Sequence, residues 1–136
     1  MSVVIENKTE QRTNEAPKIP SESQAVRCGN LLYVSAQTGR DPSTGEFADD
    51  LDGQTHQMLA NLDAVLAGAG LSKADLVMVT LVFSYIKLFK RVDEIYADWI
   101  PPREEIPLPG VTAFASDHLP DGALLQIECV AAYPEQ

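Results

Sequence analysis

The sequence predicts an α+β fold in the order β-β-α-β-α-β-β, a single domain with two helices packed on one face of a mixed sheet. Two stretches repeat apolar residues at helical spacing: Met58, Leu62, Val65, Leu66 and Ala69, then Phe89, Val92, Ile95, Tyr96 and Trp99. Between them, Leu76 to Tyr85 is apolar on both faces, as in a strand covered on two sides. The length of 136 residues fits one domain, and 45% hydrophobic residues suffice for a core.

Residues 1–18 read as a polar N-terminal arm, with Val3-Val4-Ile5 its one short strand pattern, and the domain runs from 19 to 136. Ser23 to Val26 and Leu31 to Ser35 read as two strands joined by the turn Cys28-Gly29-Asn30. The second run ends in Ser35-Ala36-Gln37-Thr38-Gly39, small and turn-forming residues that let the backbone open beside a cavity. Asp41-Pro42 and Thr44-Gly45 punctuate a loop. The acidic cluster Glu46, Asp49, Asp50 and Asp52 lies where carboxylates favour a helix start, and Gly68 and Gly70 end that helix.

In the central strand, alternation assigns Leu76, Met78 and Val82 to one face and Val77, Val79, Leu81 and Phe83 to the other. Trp99 continues the second helix's apolar stripe and reads as core. Ile100 to Gly110 contains four prolines, which remove donors and fix φ, so it is a loop. Val111 to Ala115 and Ala123 to Tyr133 finish as strands. Two helices cover only one face of such a sheet. The second face therefore calls for a neighbouring copy of the same chain.

Ten basic against twenty acidic residues give a net charge of −10, a surface that repels phosphate backbones, so no nucleic-acid partner is expected. No apolar run reaches membrane-spanning length and the N-terminus lacks a secretory pattern, so a cytoplasmic setting without a membrane partner is expected. Cys28 and Cys129 each adjoin apolar strand patterns and read as small buried hydrophobes.

His56 and His118 have no metal-ligand spacing, and no metal is expected. Ser35 and Ser84 lack a nucleophile-elbow or triad context, and no glycine-rich loop opens a helix. No self-sufficient catalytic motif is visible. Glu128 stands out because a carboxylate within Gln126-Ile-Glu-Cys-Val130 is costly to bury unless partnered. By alternation it shares a face with Gln126 and Val130, and it either meets solvent or serves a site.

The run Ser35-Ala36-Gln37 followed by Asp41-Pro-Ser-Thr-Gly-Glu46 resembles the signature of the YjgF/RidA (L-PSP endoribonuclease-like) family. The resemblance continues through Gln54-Thr55, Asn61-Leu62, Ala69-Gly70, Leu119-Pro120 and Gln126 to Ala131. It implies a chorismate-mutase-like homotrimer, sheets facing inward, with a small-molecule cleft at each subunit interface. It also implies hydrolysis of imines and enamines to a ketone and ammonia without a cofactor. In that scheme Glu128 positions water, the Ser35-Ala36-Gln37 turn donates backbone hydrogen bonds, and Thr112 lies in the substrate-binding segment.

Three positions depart from the family pattern. Val111, in Pro109-Gly-Val-Thr112, replaces an Arg that holds the substrate carboxylate; Glu22 replaces a Tyr, and Asp93 a helix Asn. An Arg–carboxylate fork contributes roughly 1.5–3 kcal/mol. Losing it directs the expectation to a deaminase whose substrate is a neutral or cationic imine or enamine and not the usual small 2-imino acid. Arg40 and Arg103 are the alternative cations, a non-catalytic metabolite-binding trimer is the second reading, and the charge disfavours a ribonuclease.

Overall fold

The computed structural model describes residues 7–120 and 122–134. Eight elements follow in chain order: β1 (Lys8–Gln11), β2 (Ala25–Cys28), β3 (Leu31–Thr38), α1 (Leu51–Gly68), β4 (Leu76–Phe83), α2 (Phe89–Trp99), β5 (Gly110–Ala115) and β6 (Leu125–Ala132). They form one six-stranded sheet in the order β1-β2-β3-β6-β4-β5. Only β4 and β5 run parallel, which makes the sheet mixed as predicted.

β1 is the element that the sequence pattern did not announce. It pairs antiparallel with β2, Lys8 opposite Cys28 and Gln11 opposite Ala25, where a loop was expected. Its side chains are mostly exposed, so no apolar alternation marks it. An edge strand of this kind is held by backbone hydrogen bonds, which composition does not reveal. The expected strand at Val3 to Ile5 lies outside the described residues. Beyond β1, the buried side chain of Gln24 fastens the chain: its Oε1 accepts from Thr13 N at 2.8 Å. Its Nε2 is shared among the carbonyls of Thr13, Ala16 and Pro17 at 2.9–3.1 Å.

β2 and β3 form the expected hairpin, with Gly29 at φ 64° in its turn. α1 begins at an Asp50 cap whose Oδ1 accepts from Gly53 N at 2.7 Å. It ends before Gly70 at φ 82°. Leu62, Leu66 and Met58 of α1 and Val92, Ile95 and Tyr96 of α2 pack on Leu32, Val79, Leu81, Phe83, Leu125 and Ile127. Trp99 is half-buried against this cluster and donates from Nε1 to Asp63 at 3.0 Å. Cys129 lies inside it, and burial pushes its thiol up to about 12. Cys28 is only half-buried.

The face assignment of β4 needs correction at one end. The ladder to β6 shifts between Leu76 and Met78, so one residue is inserted and the alternation breaks. Leu76 therefore joins Val79, Leu81 and Phe83 in the core, while Val77 is 50% exposed. Met78, Thr80 and Val82 occupy the opposite face.

Candidate functional site at the open face of the sheet

The face turned away from the helices presents Gln126, Glu128 and Val130 of β6, Met78 and Thr80 of β4, Thr112 and Phe114 of β5, and Tyr33 of β3. These follow from register: Thr80 pairs with both Glu128 and Thr112, Val82 with Phe114, and Tyr33 with Val130. Glu128 is exposed, and no Lys or Arg among the described residues pairs with it. Opposite it, the β3–β6 ladder shifts between Val34 and Gln37, so Ser35 and Ala36 have no partner on β6. The backbone opening predicted after Val34 is thus a β-bulge, and β3 continues through it to Thr38.

Two hollows adjoin the bulge. One, of about 290 Å³, is lined by Glu22, Ala36, Gln37, Arg40, His118 and Gln126 among others. The second, of about 270 Å³, is lined by Tyr33, Met78, Thr80, Glu128 and Val130 with the backbone neighbours Val34 and Cys129. Gln126 and Glu128 alternate along the same face of β6, so the hollows lie next to one another.

The loops around the first hollow are held by buried amides. Asn61 donates to the Thr38 and Arg40 carbonyls, both at 2.8 Å. Gln54 donates to Ala48 and Gly122 carbonyls and accepts from Leu124 N at 2.8 Å. Gly39 must be glycine, since a Cβ there would stand 2.4 Å from the Gln54 carbonyl oxygen. Asp41 accepts from Ser43 Oγ and N at 2.7 Å, hydrogen bonds that hold its carboxyl below the usual range.

The sequence-predicted residues divide. Glu22, Ala36 and Gln37 meet at the first hollow, and Glu128 and Thr112 share a row on the open face. Ser35 has no free donor: its N–H goes to the Gln24 carbonyl at 2.9 Å and its Oγ to the Ser23 carbonyl at 2.7 Å. Val111 pairs with Val79 and so faces the helix side of the outermost strand, 47% exposed, away from Glu128. Asp93 is exposed on α2, likewise across the sheet from Glu128. Within one chain, a side chain at 111 thus points away from Glu128, because parallel pairing with β4 sets its direction.

Of the two candidate cations, Arg40 lines the first hollow but is tied to its own loop. Its Nη1 donates to the Gly45 carbonyl at 2.6 Å and its guanidinium lies 4.6 Å from the Phe47 ring centre. Arg103 is exposed in the proline-rich loop. Tyr33, Thr80 and Gln126 were not singled out from the sequence, although the alternation of β6 already put Gln126 beside Glu128. Among the described residues, no three His, Cys, Asp or Glu side chains converge as a metal site, and no helix is long and apolar enough to cross a membrane.

The family model for endoribonuclease L-PSP matches residues 13–133. A RutC family protein of Pyrococcus horikoshii is 36% identical over 121 residues, 88% of this chain and 93% of that protein. The chloroplastic Reactive Intermediate Deaminase A of Arabidopsis thaliana is 33% identical over 121 residues, 88% of this chain and 63% of that protein. Among solved structures, the Rid family protein YyfA of Yersinia pestis superposes with a TM-score of 0.85 at 35% identity, covering 92% of this chain and 98% of that one. TdcF of E. coli, solved with bound serine, superposes with a TM-score of 0.84 at 27% identity, covering 93% and 99%. With a family model matched over most of the chain and near-complete coverage in both sequence and fold, the chain belongs to the endoribonuclease L-PSP family, the YjgF/RidA proteins.

Proposed function

We propose that this protein is a Rid-type deaminase that hydrolyses an imine or enamine to a carbonyl compound and ammonia, at a cleft between copies of the chain. The observation that carries the reading is Glu128: an exposed carboxylate on the open face, without a Lys or Arg partner among the described residues, facing the bulge at Ser35-Ala36. A carboxylate so disposed takes a proton from water as the oxygen adds to the C=N carbon. It returns the proton to nitrogen, and the tetrahedral adduct collapses with loss of ammonia. Backbone N–H groups at Ala36 and Gln37 are the donors proposed for the substrate, since Ser35 is committed elsewhere.

The substrate is an imine other than the usual small 2-imino acid, because Val111 offers no charge to a carboxylate and Arg40 is engaged by its loop. The assembly is a homotrimer in the cytoplasm. Phe114 is 48% exposed on a face that the helices do not cover, which supports burial of that part of the sheet against further copies.

The test is ammonia release from imines generated in situ, one set from amines and one from amino acids. Amine-derived imines are expected to turn over, amino-acid-derived ones to stay near background, and Glu128→Gln to abolish the faster rate. Robust turnover of 2-aminoacrylate would overturn the substrate assignment. The second reading, a non-catalytic trimer that binds a metabolite, is favoured by the missing Arg. Binding without turnover of any imine would establish it. A stable monomer in sedimentation would remove the interface cleft from both readings.

A further inference from the structure

Tyr33 and Glu128 are neighbours through register. Tyr33 pairs with Val130, and Glu128 lies two residues along the same face of β6, so the pair is diagonal across adjacent strands. Both line the same hollow, whose floor is Met78 and Val130 and whose remaining polar side chain is Thr80. Four other aromatic rings carry the chain's own cations: Arg27 over Tyr133, Arg40 over Phe47, Lys73 over Trp99 and Lys87 over Tyr85. Among the described residues no cation stands over Tyr33, and none pairs with Glu128. An open π-face and an unpaired carboxylate thus share one small concavity on a chain of net charge −10.

We propose that this hollow binds a small organic monocation, an ammonium or iminium, with its charge held between the ring of Tyr33 and the carboxylate of Glu128. A ring face attracts a cation through its quadrupole, and the carboxylate accepts charge-assisted hydrogen bonds from N–H. The apolar floor receives the cation's alkyl part, and the Thr80 hydroxyl accepts one further N–H. The acidic surface raises the local concentration of cations and lowers that of carboxylates. Tyr33 is then a specificity-determining residue. The inference rests on the preceding reading for the site's use, and it deepens that reading by naming the ligand class; it does not depend on turnover.

The probes are butylammonium, butanol and butyrate, titrated separately at neutral pH by calorimetry and by NMR of the tyrosine ring protons. Butylammonium is expected to saturate and to move Tyr33, butanol to bind more weakly, and butyrate not to bind. Glu128→Gln should weaken butylammonium about tenfold, as for loss of a charge-assisted contact. Tyr33→Leu should weaken it roughly two- to fivefold, while Tyr33→Phe keeps the ring and stays near the parent. Butyrate binding as tightly as butylammonium, or Glu128→Gln retaining full affinity, overturns the proposal. If Tyr33→Leu alters assembly in sedimentation, Glu128→Gln and Tyr33→Phe decide at the parent's oligomeric state. Butylammonium binding without imine turnover keeps the cation site and removes the deaminase. Turnover without butylammonium binding does the reverse.

Discussion

The covered face of the sheet collects Leu32, Val79, Leu81, Phe83, Leu125 and Ile127, each essentially without solvent exposure, under two helices. The opposite face of the sheet carries Thr80, Glu128, Thr112, Tyr33 and Phe114, a polar row between exposed aromatics. One backbone supplies both, because successive side chains point to opposite sides. The covered face is fixed by volume, since every methylene there has close neighbours. The open face is constrained by what must approach it, and a charge can stand there without a structural partner.

Truncation of the covered face is the harshest test of this contrast. Leu62→Ala, at a fully buried position, should cost about 2–5 kcal/mol in denaturant unfolding. Glu128→Gln should change stability by less than about 0.5 kcal/mol. Comparable losses at both sites would mean that the open face is structural and not functional.

Next in size are the buried amides that hold the loops between the two faces. Gln54→Ala would leave the Leu124 N–H and the Ala48 and Gly122 carbonyls without a side-chain partner. A loss of about 2–3 kcal/mol is expected, together with hydrogen exchange quickened at Leu124.

Alkaline pH probes two buried groups of the covered face. Burial pushes the Cys129 thiol from 9.0 up to about 12 and the Tyr96 hydroxyl from 10.0 up to about 12. Both groups are neutral when protonated and hold their protons more tightly in the folded state. Their contribution is complete below pH 9 and is lost as pH rises through about 12. Thermal melts should therefore fall from about pH 9 upward, and Cys129→Ala should flatten the early part of that fall. A flat profile to pH 11 would show that neither group is shielded.

The smallest effect is expected at Tyr96, whose buried hydroxyl has no hydrogen-bond partner among the described residues. Tyr96→Phe removes an unsatisfied group and should leave stability unchanged or raise it by about 1 kcal/mol. A loss above that would reveal a partner for the hydroxyl, such as an ordered water.

Both helices, their apolar faces and the hairpin at Gly29 are legible in the sequence, because periodicity and turn chemistry are local properties. That Glu128 shares a strand face with Gln126 and Val130 is likewise readable from alternation. Which residues those faces meet is set by how the strands and helices pack in three dimensions. β1 could not be read because an edge strand with exposed side chains has no apolar pattern. The bulges at Val77 and at Ser35-Ala36 redirect side chains by one inserted residue each, and their positions depend on the partner strand. Val111 turns away from Glu128 because β5 runs parallel to β4 in one particular register, and register is a relation between strands that neither strand encodes alone.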